Sequence, residues 1–172
     1  RKVGAGRSVV RHEQGVADEQ RVAEQTRETR LLAAAVSHMS EGVMITEYLL
    51  DAPGPRIVFA NDAMCRMTGY TASELVGQTP RILEGADTSR AVLDHIRQEW
   101  SQGRECQVEL TKYRQDGTPF DVELYMAPIR DPDGHVSRYV SINRDISERK
   151  RAEEQLRAAE ERALAGLRGL LE

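Results

Sequence analysis

Few side chains in this sequence have the types and the spacing that chemistry requires. The two cysteines, Cys65 and Cys106, lie far apart and lack the spacing of metal ligands, which argues against both a metal site and a disulfide framework. No nucleophile has a base at a recognisable spacing, and no glycine-rich loop is placed to cradle a phosphate. His38 lacks the acidic neighbour that follows a kinase phosphoacceptor. The sequence therefore predicts a protein that is not an enzyme.

The composition argues against several classes of partner. The 172 residues suffice for one domain with extensions, and 40% hydrophobic residues supply one core. A net charge of −4 without a basic half argues against nucleic acid. No apolar run approaches the ~18 residues of a membrane span, so we expect no direct membrane contact in this segment. Two cysteines fit a reducing cytoplasm, and a chain that begins with Arg1 is expected to be a piece of a longer protein.

The strongest local signals follow a short β-rich run that ends at Ala60. Asn61 is placed there to cap a short helix, and Gly69 suits the left-handed conformation past the end of that helix. Thr71 and Glu74 have the spacing of a capping box that opens a second short helix. Such short helices bury little among themselves, so we expect them to lie across a larger element.

Alternating apolar residues predict that larger element to be a sheet. Residues 43–48 and 56–60 form two strands, and a three-stranded meander follows a helix over Thr88–Gln102. In the second strand of the meander the inward face is apolar and consists of Phe120, Val122, Leu124 and Met126. This order of elements predicts an α+β domain in which a five-stranded antiparallel sheet carries short helices on one face.

The sequence divides into four segments. Residues 1–15 are polar and glycine-rich and are predicted to be a flexible leader. Residues 16–40 lack proline and glycine and are predicted to form an N-terminal flanking helix. The domain takes residues 41–147. Residues 148–172 are predicted to form a C-terminal signalling helix, for which a weak coiled coil and a solvated spacer helix are both open.

The chain from about residue 31 to 150 resembles the PAS domain. The signature of that family appears here as Asn61, then Thr68-Gly69-Tyr70, then Glu74 to Gly77. The closing segment Asp145–Lys150 resembles the boundary between a PAS sensor and its output helix. The resemblance implies a PAS fold and a sensory or relay module of a larger bacterial-type signalling protein. Its attached output domain would be a kinase or a cyclic-dinucleotide enzyme.

Within that family, the segment 77–85 and the run Asp116–Phe120 resemble the flavin-binding LOV branch. By this resemblance Arg81 and Arg97 stand where two arginines hold the flavin phosphate, a task that suits the paired donors of a guanidinium. The alternative is that both arginines pair with neighbouring acids at the surface. Pro80 stands at the position of the photoreactive cysteine, so the resemblance excludes photochemistry by cysteine addition.

The polar positions of the pocket depart from the LOV pattern. Thr79 replaces an asparagine and Glu84 a glutamine, while Lys112 and Val122 stand where two amides would bind the flavin ring edge. Only Asn143 keeps an amide. Because an unpaired buried polar group costs about 1–3 kcal/mol, flavin binding is disfavoured, and whether the pocket holds any cofactor stays open. FMN or FAD is the alternative, in a flavin-binding redox or light sensor without the cysteine.

Two further expectations concern single side chains near the pocket. The strand register turns Lys112 inward, and an unpaired buried ammonium is too costly to persist. We therefore expect Glu84 to be its anionic partner. His95 lies about one turn away from the position of a haem ligand in relatives of the family, so haem binding is disfavoured.

The outer face of the sheet predicts a homodimer. Tyr139, Ser141 and Asn143 share the pocket face, so Val136 and its alternate neighbours are expected to point away, towards the N-terminal flanking helix. An apolar patch of this kind is rarely left exposed on a monomer. The predicted interface comprises Leu31, Leu32, Ala35, Val36, Met39, Val140 and Ile142, continued along the C-terminal helix by Leu156, Ala163 and Leu170.

Overall fold

A long helix opens the chain. In the computed structural model, which describes residues 5–49 and 51–169, α1 spans Ala5–Ser37. The helix thus takes in residues 5–15, which the sequence predicted as a flexible leader, whereas residues 1–4 lie outside the described part. This stretch contains no proline, and a glycine such as Gly15 costs only about 1 kcal/mol in a helix interior, so the favourable propensity of its neighbours continues the helix. The first of two compact units ends at Met39.

The second unit, which begins at Ser40, is built on one antiparallel sheet. Its strands are β1 Gly42–Glu47, β2 Ile57–Ala60, β3 Cys106–Tyr113, β4 Pro119–Arg130 and β5 Val136–Asp145. They lie in the order β2-β1-β5-β4-β3, and every neighbouring pair is antiparallel. The predicted five-stranded sheet is therefore confirmed.

Short helices connect β2 to β3 and pack on one face of the sheet. They are α2 (Asp62–Thr68), α3 (Ala72–Leu75), a 3-10 turn at Pro80–Leu83 and the longer α4 (Arg90–Ser101). Their apolar residues meet the strands in two clusters, one around Trp100 and one around Met64, Leu75 and Leu83. The α+β architecture predicted from the sequence is thereby confirmed.

The corner between β2 and α2 has the predicted caps. The Asn61 Oδ1 accepts from the Met64 amide at 2.9 Å, and Gly69 ends the helix in the left-handed region at φ 80°. The Thr71 side chain and the Glu74 side chain form a complete capping box at the start of α3. These local contacts give the chain its tight path across the sheet.

In β4 and β5 the inner face of the sheet follows the predicted alternation, apart from one bulge. The pocket-side residues of β4 and β5 are buried: Phe120, Val122, Leu124, Met126, Tyr139, Ser141 and Asn143. Val136 was expected to point outwards, and this is wrong. Arg130 pairs with Val136 but Ile129 pairs with Arg138, so Ser137 is an extra residue that turns Val136 onto the core cluster.

The outer face of the sheet and the two terminal helices present apolar side chains to solvent. Val140 and Ile142 are half-buried on the outer face, and Phe59, which pairs with Ile45 of β1, is 37% exposed. Leu31 on α1 is 64% exposed and Leu32 is 62% exposed. None of the helices within the described ranges has the length and apolarity to cross a membrane.

The last helix, α5, spans Ser147–Gly169. Its Leu156 is 63% exposed and Ala163 is also exposed, whereas Leu170 lies outside the described residues. The seven-residue recurrence is therefore present as an exposed stripe on a single chain, and the coiled coil stays a prediction.

Candidate functional site

A cavity of about 170 Å³ lies between the inner face of the sheet and the helices that cover it. The strands contribute apolar walls such as Met44, Leu110 and Leu124, and α4 contributes Leu93 and Trp100. The sequence-predicted pocket residues Thr79, Arg81, Glu84, Arg97 and Lys112 all line this cavity. The 3-10 turn and its flanks position the first three of these residues, α4 positions Arg97 and β3 positions Lys112. Asn143 lies behind Lys112 and does not line the cavity.

Lys112 is the unusual residue of the cavity wall. It stands on the inner face of β3 and is only 6% exposed. Its Nζ donates to the Asn143 Oδ1 at 2.6 Å. Burial lowers the pKa of Lys112 from 10.5 to about 8, and the carboxylate of Glu84 opposes part of that fall. The inward orientation expected from the strand register is therefore confirmed.

The predicted ion pair between Lys112 and Glu84 is wrong. Glu84 also lines the cavity and attracts the ammonium, but no carboxylate of the described residues lies within 4.0 Å of the Lys112 Nζ. Asn143 takes the place next to the ammonium because β5 carries it onto the same face of the sheet. A neutral amide oxygen satisfies one of the three donors of the ammonium and none of its charge.

The two arginines differ in their surroundings although both line the cavity. Arg97 pairs with Asp94 one turn away on α4 at 2.8 Å, and both side chains are more than half exposed. This is the surface pairing that the sequence left open for Arg97. Arg81 lies at the 3-10 turn, is exposed, and has no side-chain partner among the described residues. With respect to the described residues, the arginine pair therefore offers one free guanidinium, that of Arg81.

Two polar groups of the cavity were not singled out by the sequence. Trp100 packs against Tyr139 with ring centroids 4.8 Å apart. Its indole Nε1, however, is buried and has no hydrogen-bond partner in the described part of the chain. Thr46 is 4% exposed and lines the cavity, and its hydroxyl has no hydrogen bond among the described residues. The alternation of β1, in which Met44 and Thr46 share a face, was the signal that could have found it.

Three other residues that the sequence singled out, one histidine and two cysteines, do not line the cavity. His95 is on the exposed side of α4 and does not line the cavity. Cys65 and Cys106 are half-buried against the apolar clusters, and burial raises the pKa of both thiols. Neither cysteine lines the cavity, and the described residues contain no cluster of three or more metal-binding side chains.

The side chains that would meet a flavin ring edge do not fit that group. The Asn143 amide is engaged inside the protein, because its Oδ1 accepts from Lys112 and its Nδ2 donates to the Gly42 carbonyl at 3.2 Å. Val122 is fully buried and offers neither donor nor acceptor. The cavity is also smaller than the ~300–1,000 Å³ of typical cofactor pockets. The walls match a smaller ligand.

The base of α5 is fixed to the two strands that form one end of the cavity. The Asp121 amide on β4 donates to the Ser147 Oγ at 2.9 Å, and the Ile146 amide donates to the Asp121 carbonyl at 2.9 Å. Arg149 and Lys150 pair with Glu109 on β3 at 2.8 and 3.4 Å. Glu109 lies three residues from Lys112 on that strand, so the first turn of α5 and the cavity wall share one element.

The PAS domain family profile matches residues 40–148. The chain is 34% identical over 152 residues to the bacterioopsin transcriptional activator of Halobacterium salinarum, a match that covers 84% of this chain and 22% of that protein. It is 35% identical over 113 residues to blue-light-activated histidine kinase 1 of Erythrobacter litoralis, with 63% and 31% covered. The chain thus spans a third or less of these curated relatives.

Solved structures give the same assignment. An RNA-binding light-oxygen-voltage receptor superposes with a TM-score of 0.67 at 28% identity, covering 78% of this chain and 38% of that one. A light-oxygen-voltage domain studied with a flavin analogue superposes with a TM-score of 0.63 at 29% identity, covering 76% and 95%. The match over residues 40–148, together with these neighbours, shows that the chain belongs to the PAS domain family and is similar to its LOV branch.

Proposed function

We propose that this chain is a sensory and signal-relay PAS module of a larger cytoplasmic signal-transduction protein. It acts through a homodimer and through its flanking helices, without catalysis of its own. The attached output domain is a kinase or a cyclic-dinucleotide enzyme, and the similarity to a histidine kinase supports the first of these. The observation that carries the proposal is the fastening of α5 to β3 and β4, because these strands also form the cavity wall.

The geometry of β3 supports the proposed relay. Lys112 faces the cavity from the inner side of the strand, and Glu109 holds Arg149 and Lys150 from the outer side. A change in the cavity that shifts β3 therefore shifts the point at which α5 leaves the domain. The helix α5 has 23 residues and rises by about 1.5 Å per residue. It can therefore transmit such a shift along its whole length to the domain that follows it.

Exposed apolar side chains support the dimer. Leu31 and Leu32 are nearly two thirds exposed in the single chain, and the outer face of the sheet adds Phe59, Val140 and Ile142. Patches of this kind are rarely left open to water. A second copy would cover them in a two-fold, self-complementary contact. In this dimer the two α5 helices run side by side, with Leu156 and Ala163 paired.

Light scattering of the chain tests the dimer. The double variant L32E/V36E is expected to be monomeric at tens of micromolar, because it would bury two like charges on each side of the contact. Q25E/T29E is the matched control, since it adds the same charge to exposed positions of α1 without removing apolar surface, and it should remain dimeric. L156E should loosen the pairing of α5 but leave the dimer. A wild-type protein that is monomeric at this concentration would contradict the proposal.

The rival function is a flavin-binding redox or light sensor. Two observations argue against it: both ends of the Asn143 amide are hydrogen-bonded within the protein, and Lys112 can only donate. An absorbance spectrum of the purified protein decides the matter. A flavin spectrum would favour the rival function, and we expect none. The variant K112N/V122N/P80C, reconstituted with FMN, should take up more flavin than the wild type if the arginines retain a phosphate site.

A further inference from the structure

Three side chains that line the cavity carry hydrogen-bond donors that lack acceptors. Lys112 has three N–H groups and one acceptor, the Asn143 Oδ1. The buried Trp100 Nε1 has none, and the Thr46 hydroxyl makes no hydrogen bond among the described residues. Lysine and tryptophan side chains only donate. Since buried polar groups are satisfied in most native proteins, these groups indicate that an acceptor belongs in the cavity.

The charges around the cavity favour an anion as that acceptor. Its lining contains the cations Lys112, Arg81 and Arg97 and one carboxylate, Glu84. Asp94 compensates Arg97, and Glu84 does not come within ion-pair distance of Lys112. The Lys112 ammonium and the Arg81 guanidinium thus remain without a bound counter-charge in the described part of the chain. A ligand carboxylate would accept from Lys112 and supply that charge.

The remaining walls limit the size and polarity of the ligand. The cavity measures about 170 Å³, which is close to the ~150 Å³ of an apolar cavity that holds one benzene molecule. Leu83, Leu110, Leu124 and Met126 line it, so the body of the ligand meets hydrocarbon. A single ring or a short alkyl chain satisfies both limits.

From these three observations we propose that the cavity binds a small monocarboxylate with a compact apolar body, its carboxylate seated on Lys112. The proposal rests on the proposed sensory function and names the ligand class of that module. The ligand replaces the missing counter-charge of Lys112 on β3, the strand that also holds the base of α5. Glu84 opposes binding, because its carboxylate repels the ligand.

Trp100 is the only tryptophan of the chain, so its fluorescence reports directly on the cavity. The probe is sodium benzoate at about pH 6.5, where both the probe and Lys112 carry charge. Benzoate is expected to change the Trp100 emission with a dissociation constant of about 10 μM to 1 mM, a range that fits nine non-hydrogen atoms. Benzyl alcohol and benzylamine, which have the same ring without the negative charge, should bind at least about 10-fold more weakly.

Two variants move the affinity in opposite directions. K112M keeps the length of the side chain and removes its charge, so benzoate should bind about 10- to 100-fold more weakly while benzyl alcohol is little affected. E84Q removes the competing carboxylate and should tighten benzoate binding by a few-fold. R66M removes one positive charge from an exposed residue of α2 that does not line the cavity, so it is the matched control and should bind as the wild type does.

The outcomes separate this proposal from the proposed function. Benzoate that binds equally well to K112M, or no better than benzyl alcohol to the wild type, would overturn the carboxylate site. No change in Trp100 emission and no heat of binding by calorimetry would also overturn it. Neither result affects the dimer measured by light scattering. Conversely, a monomeric chain that binds benzoate through Lys112 would retain the site and refute the dimeric relay.

Discussion

Two buried polar side chains of this domain are satisfied to very different degrees. At the corner between β2 and α2, the Asn61 Oδ1 accepts from the amides of Val43 and Met64 at 2.8 and 2.9 Å, and its Nδ2 donates to the Glu41 carbonyl at 3.1 Å. In the cavity wall, Lys112 has one acceptor and no ion pair with the described residues. The two residues are almost equally buried, at 2% and 6% exposure.

The difference indicates different roles. A buried amide with partners for both ends joins α2 to β1 and fixes the local fold. A buried ammonium with one neutral partner costs folding free energy, as the lowered pKa of Lys112 shows. The corner therefore serves stability. The cavity wall carries an unfavourable charge that a ligand can compensate.

The largest effect is expected at the corner. Asn61→Ala removes the acceptor of two buried amides, each of which costs about 1–3 kcal/mol when unpaired, so the free energy of unfolding should fall by about 3–4 kcal/mol. Urea denaturation followed by circular dichroism measures this loss. Asn61→Asp keeps the acceptor for both amides but sets a carboxylate oxygen against the Glu41 carbonyl, so it should still destabilise, by less than Asn61→Ala. A loss below about 1 kcal/mol in N61A would show that the corner is not a stabilising contact.

Features that depend on neighbouring residues were predictable from the sequence. Asn61, Gly69 and the Thr71–Glu74 box lie where they were predicted, because caps are decided within one helical turn. The Arg97–Asp94 pair is a similar case, since residues three apart on a helix are neighbours. The strand alternation likewise placed Lys112 on the inner face of β3.

Features that depend on tertiary contacts were not predictable. The Lys112 partner is Asn143, 31 residues away, and its choice over Glu84 depends on how β5 aligns with β3 through β4. Val136 faces the core because one extra residue at Ser137 shifts the register, which no alternation pattern reveals. The unpaired Trp100 Nε1 is visible only when the whole environment of the indole is known.

The pH dependence of stability tests how much the buried charge of Lys112 destabilises the folded protein. Between about pH 8 and 10.5 the lysine is protonated in the unfolded chain but neutral in the folded one. The unfolded state then binds more protons, so stability should rise with pH across this window, by on the order of 2–3 kcal/mol. The quantity to measure is the difference between wild type and K112M. This difference cancels the cysteines, whose raised pKa values act in the opposite direction.

At neutral pH, K112M itself should be more stable than the wild type by about 1–2 kcal/mol. The methionine avoids the buried charge but leaves the Asn143 Oδ1 without its donor, which reduces the gain. Thermal unfolding of both proteins measures it. K150M should change stability by less than about 0.5 kcal/mol, since Lys150 is at the surface. A strongly destabilised K112M would show that Lys112 is a structural residue like Asn61.

The smallest effect concerns the remaining attraction between Glu84 and Lys112. Glu84→Gln removes a carboxylate that raises the lysine pKa from beyond ion-pair distance, so the pKa of Lys112 should fall by about half a unit. Side-chain NMR titration can follow it, because the chain has only three lysines, Lys2, Lys112 and Lys150.

The size of the fall in the Lys112 pKa tests whether the buried Lys112 differs from the buried Asn61 in how well its hydrogen bonds and charge are satisfied. A fall of about half a unit means that Glu84 attracts Lys112 only at a distance and that the ammonium has no true counter-ion in the folded chain. A fall of two units or more would mean that Glu84 forms a full ion pair with Lys112 in solution. Lys112 would then be satisfied as Asn61 is, and its charge would no longer call for a ligand. An unchanged pKa of Lys112 would show that solvent lies between Glu84 and Lys112 and screens the charge of the carboxylate completely.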